Sequence, residues 1–156
     1  EPVELSALAR EVAEDVELLA QERGLSIQLQ AHAPVYILGD ALRVRQALLN
    51  VVDNALKYTP LGGTVTLQVY SQHGDAVVEV LDTGIGIPEE EQQRVFERFY
   101  RVEKSRTRSS QSDGAGLGLA IVRWIVEAHG GRVELQSQLG QGTRVRLRFP
   151  RWDARS

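Results

Sequence analysis

The stretch ALLNVVDNALKYTP, residues 47–60, has the apolar spacing of a helix, yet its polar positions are unusual. Asn50, Asp53, Asn54 and Lys57 recur at three- and four-residue steps, and at about 100° per residue they fall within roughly a third of the helix circumference. Arg43 and Gln46 extend this stripe upstream, while Leu48, Val51, Val52, Ala55 and Leu56 form the opposite side. A solvated surface helix favours Glu and Lys. Two Asn at i and i+4 are mediocre helix formers with short, fixed carbonyl reach. The stripe reads either as the wall of a polar pocket or as an exposed polar face, and the segment alone leaves both open.

Outward from it, Asp40 can cap the helix, and Pro60 ends it near Tyr58. Upstream lie a short edge strand at Val3 to Leu5 and a helix that starts on Ser6 as N-cap and stops at Gly24. The strands SIQLQA and VYIL follow. Downstream, TVTLQVY and AVVEVLD form a hairpin with Val65, Leu67 and Val69 on one face. A short helix is expected at Glu89 to Phe99, then a polar stretch to Gly114. A third long helix, over 117–129, starts on a glycine-rich turn and ends at Gly130 and Gly131. RVELQS and TRVRLRF close the chain as a hairpin through LGQG. Hairpin-length links between unequally grouped strands and helices predict an α/β fold, a two-layer sandwich of a mixed sheet covered on one face by three helices.

The 156 residues, 42% of them hydrophobic, suffice for one domain over 1–156, with a core at about 3–149. A net charge of −3 and a pI near 5.7 give no electrostatic footprint for nucleic acid. The absence of Cys excludes disulfides and thiolate zinc sites. No apolar run reaches the roughly 20 residues of a membrane span. The chain has no Met and begins at Glu1, so it is expected to be a fragment of a longer protein.

Two glycine clusters stand out, DTGIGIP at 82–88 and GAGLGLA at 114–120. A Rossmann fingerprint needs a strand directly before its glycines, whereas Gly114, Gly116 and Gly118 follow a polar loop, and no Gly-Lys-Ser/Thr of a Walker A loop occurs. What remains is glycine backbone able to approach an anion at a helix N-terminus, or a plain tight turn. Asp82 ends a strand before the first cluster. It either caps a turn or presents an acceptor suited to an exocyclic amine. The amide oxygens of Asn50 and Asn54 are hard ligands able to serve Mg²⁺ beside phosphate and water, and Lys57 shares their stripe.

Taken in order, Asn50-x3-Asn54-x2-Lys57-Tyr58, Asp82-x-Gly84-x-Gly86, FERFYR at 96–101, Gly114-x-Gly116-x-Gly118 and Gly140-x-Gly142-Thr143 closely resemble the N, G1, F, G2 and G3 boxes of the catalytic ATP-binding domain of sensor histidine kinases, in the GHKL superfamily. The resemblance implies a Bergerat-type sandwich with a flexible ATP lid, and ATP and Mg²⁺ as cofactors. It places Asn54 and Asn50 at the metal, Lys57, Tyr58 and Arg101 near phosphate, and Asp82 at adenine, with Thr143 reinforcing the adenine site through water. Gly84, Gly86, Gly116 and Gly118 shape the pocket and lid. Ile87, Leu117 and Leu119 join the nucleotide-binding positions, and Asn50, Asn54, Lys57 and Arg101 are the catalytic set.

The implied reaction is transfer of the γ-phosphoryl group to a histidine on a separate dimerisation domain of the parent, which dimerises through that domain and hands the phosphoryl group to a response regulator. The implied location is cytoplasmic, with a parent that can be anchored in the inner membrane. The superfamily's hydrolases use a Glu four residues before the metal-binding Asn; Asn50 stands there, and a non-catalytic nucleotide sensor is the third reading. Arg98, Arg101, Lys104, Arg106 and Arg108 are read as part of a lid over 104–115 rather than a nucleic-acid patch, with Phe96 and Phe99 as its anchors. His32, His73 and His129 are read as structural or solvent-facing, His129 at a helix C-terminus where a cation suits the dipole.

Overall fold

Asp40 fixes where the striped helix begins. Its Oδ1 accepts from the Leu42 and Arg43 amides at 3.0 and 3.3 Å, satisfying two of the N–H groups that a helix start leaves unpaired. The helix, α2, runs Ala41–Tyr58, and the Thr59 hydroxyl beyond it donates back to the Ala55 carbonyl at 2.7 Å. The structure, a computed structural model, describes residues 1–87, 92 and 114–153. Its elements in chain order are β1 (Pro2–Glu4), α1 (Leu5–Glu22), β2 (Ser26–Ala31), β3 (Tyr36–Leu38), α2, β4 (Thr64–Gln72), β5 (Asp75–Asp82), α3 (Gly114–Ala128), β6 (Arg132–Gln138) and β7 (Gly142–Pro150). The expected helix at 89–99 and the lid at 104–115 fall almost wholly outside the described residues.

Five strands form one mixed sheet in the order β2-β4-β5-β7-β6, with β2 parallel to β4 and every other neighbour antiparallel. The β4–β5 hairpin turns through His73 (φ 53°) and Gly74 (φ 81°), two left-handed residues of the kind that match the twist of flanking strands. β1 and β3 pair separately. Alternation then decides the layers. Val65, Leu67 and Val69 of β4, Ala76, Val78 and Val80 of β5, and Val145, Leu147 and Phe149 of β7 are buried in one cluster with Leu8, Val12 and Val16 of α1, Leu48, Val51 and Val52 of α2, and Val122, Ile125 and Val126 of α3. All three helices therefore cover the same face, as the periodicity predicts.

The opposite face carries a charged network. Glu79, only 4% exposed, accepts from Tyr70 Oη at 2.7 Å and Arg146 Nε at 2.8 Å, and Arg148 Nε donates to Glu134 at 2.9 Å. Burial raises the Tyr70 hydroxyl above its ordinary value, with the Glu79 hydrogen bond adding to it, and the Arg148 bond lowers Glu134. No helix among the described residues is long and apolar enough to cross a membrane.

Local reading errs where tertiary contacts take over. Ser6 is not an N-cap: β1 ends at Glu4, α1 starts at Leu5, and the Leu5 amide is satisfied by the Val35 carbonyl across the chain at 2.8 Å. Ser6 is buried and donates to the Ala33 carbonyl at 2.9 Å. α3 begins at Gly114, not 117, because a glycine weakens a helix by only about 1 kcal/mol relative to Ala without forbidding it. Of the two readings open for His129, structural or solvent-facing, the structure bears out the structural one. The Asp40 amide is a fixed donor at 3.1 Å from Nε2, so Nε2 accepts, Nδ1 carries the proton and donates to the Ile125 carbonyl at 2.8 Å, and the ring meets Phe149 edge-on at 6.0 Å. This neutral imidazole clasps the end of α3 to the start of α2.

Candidate nucleotide site

Three strand ends build one side of the site. Asp82 closes β5 and pairs with Thr143 at the start of β7, and Thr143 pairs with Ser137 near the end of β6. Because directly paired residues project to the same face, the three form a row, and they line a shallow cleft of about 310 Å³. Asp82 Oδ1 accepts from the Gly84 amide at 2.8 Å and the Thr143 amide at 3.2 Å. Burial pushes its carboxyl above the ordinary value, and those two backbone hydrogen bonds oppose the rise without cancelling it. The bland reading of Asp82 as a turn cap is thus half right: one oxygen caps the turn, and both structural bonds fall on that oxygen.

The loop after β5 is folded onto the end of α2. The Ile85 amide donates to the Tyr58 carbonyl at 3.2 Å, and a Cβ on Gly84 would lie 2.5 Å from that same carbonyl. At Gly86 (φ 78°) an added Cβ would fall on the Gln138 carbonyl, and the Gly140 amide donates to the Ile85 carbonyl at 2.7 Å. Close backbone approach therefore requires a glycine at both positions, and at Gly86 the left-handed conformation requires it as well. Gly142 (φ 128°) is held against the Asp82 carbonyl in the same way. Gly142→Ala is expected to destabilise the fold by about 1–3 kcal/mol or more, read as a lower melting temperature, because a left-handed backbone and a steric overlap coincide there. A melting temperature equal to that of the parent chain would refute this.

On α2, the stripe lies next to the same loop. Asn54 is half-buried, and its Oδ1 is buried with no hydrogen-bond partner among the described residues. An orphaned carboxamide oxygen is a hard acceptor awaiting a donor or cation, and it fits Mg²⁺ shared with phosphate and water oxygens. Asn50 and Tyr58 are also half-buried on α2. Lys57 pairs with Asp53 at 3.3 Å, which holds its ammonium on the stripe. Among the described residues there is no cluster of three His, Cys, Asp or Glu able to cage a metal. Gly116, Leu117 and Gly118 lie in the first turns of α3, and Leu119 is buried at 5% exposure, in the core rather than at a pocket surface. Arg101 lies outside the described residues.

Sequence reading missed Ser137 and Gln92. Ser137 Oγ accepts from the Ile87 amide at 2.7 Å, and Gln92 Nε2 donates to the Ile87 carbonyl at 2.9 Å and the Ser137 carbonyl at 3.0 Å. Counting back from the LGQG turn pairs 137 with 143, which is the signal that could have found Ser137.

A mixed sheet under three helices, with a polar helix stripe facing a glycine-bent loop and a strand-end Asp, defines a GHKL-type nucleotide-binding fold. The chain matches the family of histidine kinase-, DNA gyrase B- and HSP90-like ATPases over residues 39–153, and it belongs to that family. Within it, the chain is similar to sensor histidine kinases. It is 39% identical over 152 residues to the circadian input-output histidine kinase CikA of Synechococcus elongatus, a match covering 96% of this chain and 20% of CikA. Among solved structures it superposes on the mycobacterial sensor histidine kinase MprB with a TM-score of 0.80 and 32% identity, covering 97% of both chains. The full-length ShkA structure in complex with AMPPNP gives a TM-score of 0.83 at 37% identity, covering 97% of this chain and 31% of ShkA. The chain thus spans well under half the length of CikA and of full-length ShkA.

Proposed function

We propose that this chain is the catalytic ATP-binding domain of a sensor histidine kinase, acting in the cytoplasm. It binds ATP with Mg²⁺ and transfers the γ-phosphoryl group to a histidine on a separate dimerisation domain of its parent, from which a response regulator receives it. The observation that carries the reading is the α2 stripe beside the Asp82 loop, with a buried Asn54 oxygen that has no partner among the described residues and Asn50 one turn earlier. The ShkA neighbour, whose structure holds AMPPNP, supports an adenine nucleotide as the ligand.

The roles follow residue by residue. Asp82 offers an acceptor to the adenine amine, and Thr143 supports it through water. Gly84, Gly86 and Ile87 shape the base pocket, while Gly116, Leu117, Gly118 and Leu119 bring the start of α3 and its positive dipole end towards phosphate. Lys57 and Arg101 neutralise phosphate charge, and Tyr58 lies near the phosphates as a hydroxyl donor. Asn54 and Asn50 would hold Mg²⁺, which supplies charge neutralisation on the triphosphate when bound.

Asn50 also separates kinase from hydrolase. An amide cannot accept a proton from water at neutral pH, whereas a neutral imidazole already carries the lone pair it needs as nucleophile. The chain alone is therefore expected to bind ATP and release phosphate slowly; adding a histidine-bearing dimerisation segment should give acid-labile label on that segment. Rapid phosphate release by the chain alone, or stable label on His32, His73 or His129, would overturn the reading.

A further inference from the structure

We propose that Ser137 is a positioning residue for base specificity: it holds the Thr143 hydroxyl proton away from the cleft, so that Thr143 meets the ligand only as an acceptor. The inference rests on the nucleotide reading above. It comes from counting protons. A serine hydroxyl has one proton and two lone pairs. The Ile87 amide, a fixed donor at 2.7 Å, takes one lone pair of Ser137 Oγ, and the Gly142 carbonyl, a fixed acceptor at 3.1 Å, takes its proton. Thr143 Oγ1 lies 2.8 Å away, where either hydroxyl can donate; with the Ser137 proton on the Gly142 carbonyl, which can only accept, the position left to Thr143 is the second lone pair. Thr143 therefore donates to Ser137, and its own lone pairs are what remains for the cleft.

The neighbours hold this arrangement in place. Gln92 straps the Ile87 and Ser137 carbonyls together, so the Ile87 amide cannot drift from Ser137. Across the row, Asp82 is bonded through Oδ1 to two amides, so it too presents an acceptor. Asp82 and Thr143 then offer acceptors alone, directly or through a water whose protons point at them. An exocyclic amine at purine position 6 satisfies both. A 6-oxo group opposes acceptor to acceptor.

The test measures ATP and inosine triphosphate affinity by calorimetry on the whole chain, since the two bases differ at that position. Ser137→Ala frees the Thr143 hydroxyl to rotate and donate into the cleft, so the ATP-to-inosine preference is expected to fall about tenfold, with inosine triphosphate gaining. Ser137→Thr keeps a hydroxyl and should keep the parent ratio. In a Thr143→Val background, Ser137→Ala should leave the ratio unchanged, and Thr143→Val itself should weaken ATP, an outcome readable even where Ser137→Ala folds poorly. Equal weakening of both nucleotides by Ser137→Ala marks a merely structural role and overturns the proposal, as does a Thr143→Val chain that binds ATP like the parent. A parent chain that binds neither nucleotide removes the underlying reading; one that binds ATP while Ser137→Ala leaves the ratio intact removes only this inference.

Discussion

Asp82→Asn is expected to lower ATP affinity by about 10- to 100-fold while raising the melting temperature of the free chain. Both effects have one cause. The Gly84 and Thr143 amides demand an acceptor, so the asparagine oxygen takes the place of Oδ1 and its amide nitrogen takes the place of the other carboxylate oxygen. The group facing the ligand changes from acceptor to donor, which opposes an adenine amine and suits a 6-oxo base. Relative preference for inosine triphosphate should rise accordingly. The stability change follows from burial, which lifts the Asp82 carboxyl above its ordinary value. Between the unfolded value and that raised one, the folded chain binds more protons than the unfolded chain, so stability falls as pH rises through the window. Well above the window the folded chain bears the full cost of an ionised, desolvated carboxylate, and the neutral isostere removes it. The gap in melting temperature between Asp82→Asn and the parent should therefore be widest above the window and close as the pH is lowered through it, where the parent carboxyl takes up its proton. Melts across that range, beside calorimetry with both nucleotides, check it. A variant that melts below the parent at neutral pH, or binds ATP as tightly, would sink the assignment.

How far the sequence could be read depended on how local each determinant is. The Asp40 cap is decided within three residues, and Oδ1 sits where the rule places it. The stripe on α2 and the alternation of β4 are periodic signals, and both place their apolar sides in the core. Ser6 is also a good local cap, but it lost to a long-range bond: once β1 pairs with β3, Val35 supplies the acceptor for Leu5 and the serine is drawn inward. His129 is structural, one of the two readings its place left open, and the partner that decides between them is the amide of Asp40, 89 residues away. Ser137 carries no local mark, because a serine near a strand end is common; only the pairing of 137 with 143 gives it meaning. Asp82 and its glycines were legible as a motif. Their cause is tertiary, lying in the carbonyls of Tyr58 and Gln138 that leave no room for a side chain.

Asn54→Ala is expected to cut phosphoryl transfer to a histidine-bearing partner by at least about 100-fold, to leave ATP affinity within about tenfold, and to raise the melting temperature of the free chain. The three outcomes separate chemistry from binding and from folding. Asn54 Oδ1 is buried without a partner among the described residues, a state that costs a free fold about 1–3 kcal/mol for its lost hydration. Alanine removes that atom and is also the better helix former, so the free chain gains on both counts. On the proposed reading, nucleotide affinity is held chiefly by the base pocket at Asp82, which lies on β5 rather than α2 and keeps its own bonds. Transfer depends on charge neutralisation and in-line positioning at the phosphates, and there the hard amide oxygen is suited to share Mg²⁺. Asp53→Ala is the contrast on the same helix. It breaks the half-exposed pair with Lys57, worth no more than about 0.5 kcal/mol, and should leave stability nearly unchanged. An Asn54→Ala chain that melts lower than the parent would show that the oxygen is satisfied in the free fold. Transfer within tenfold of the parent would show that the stripe is an exposed polar face after all.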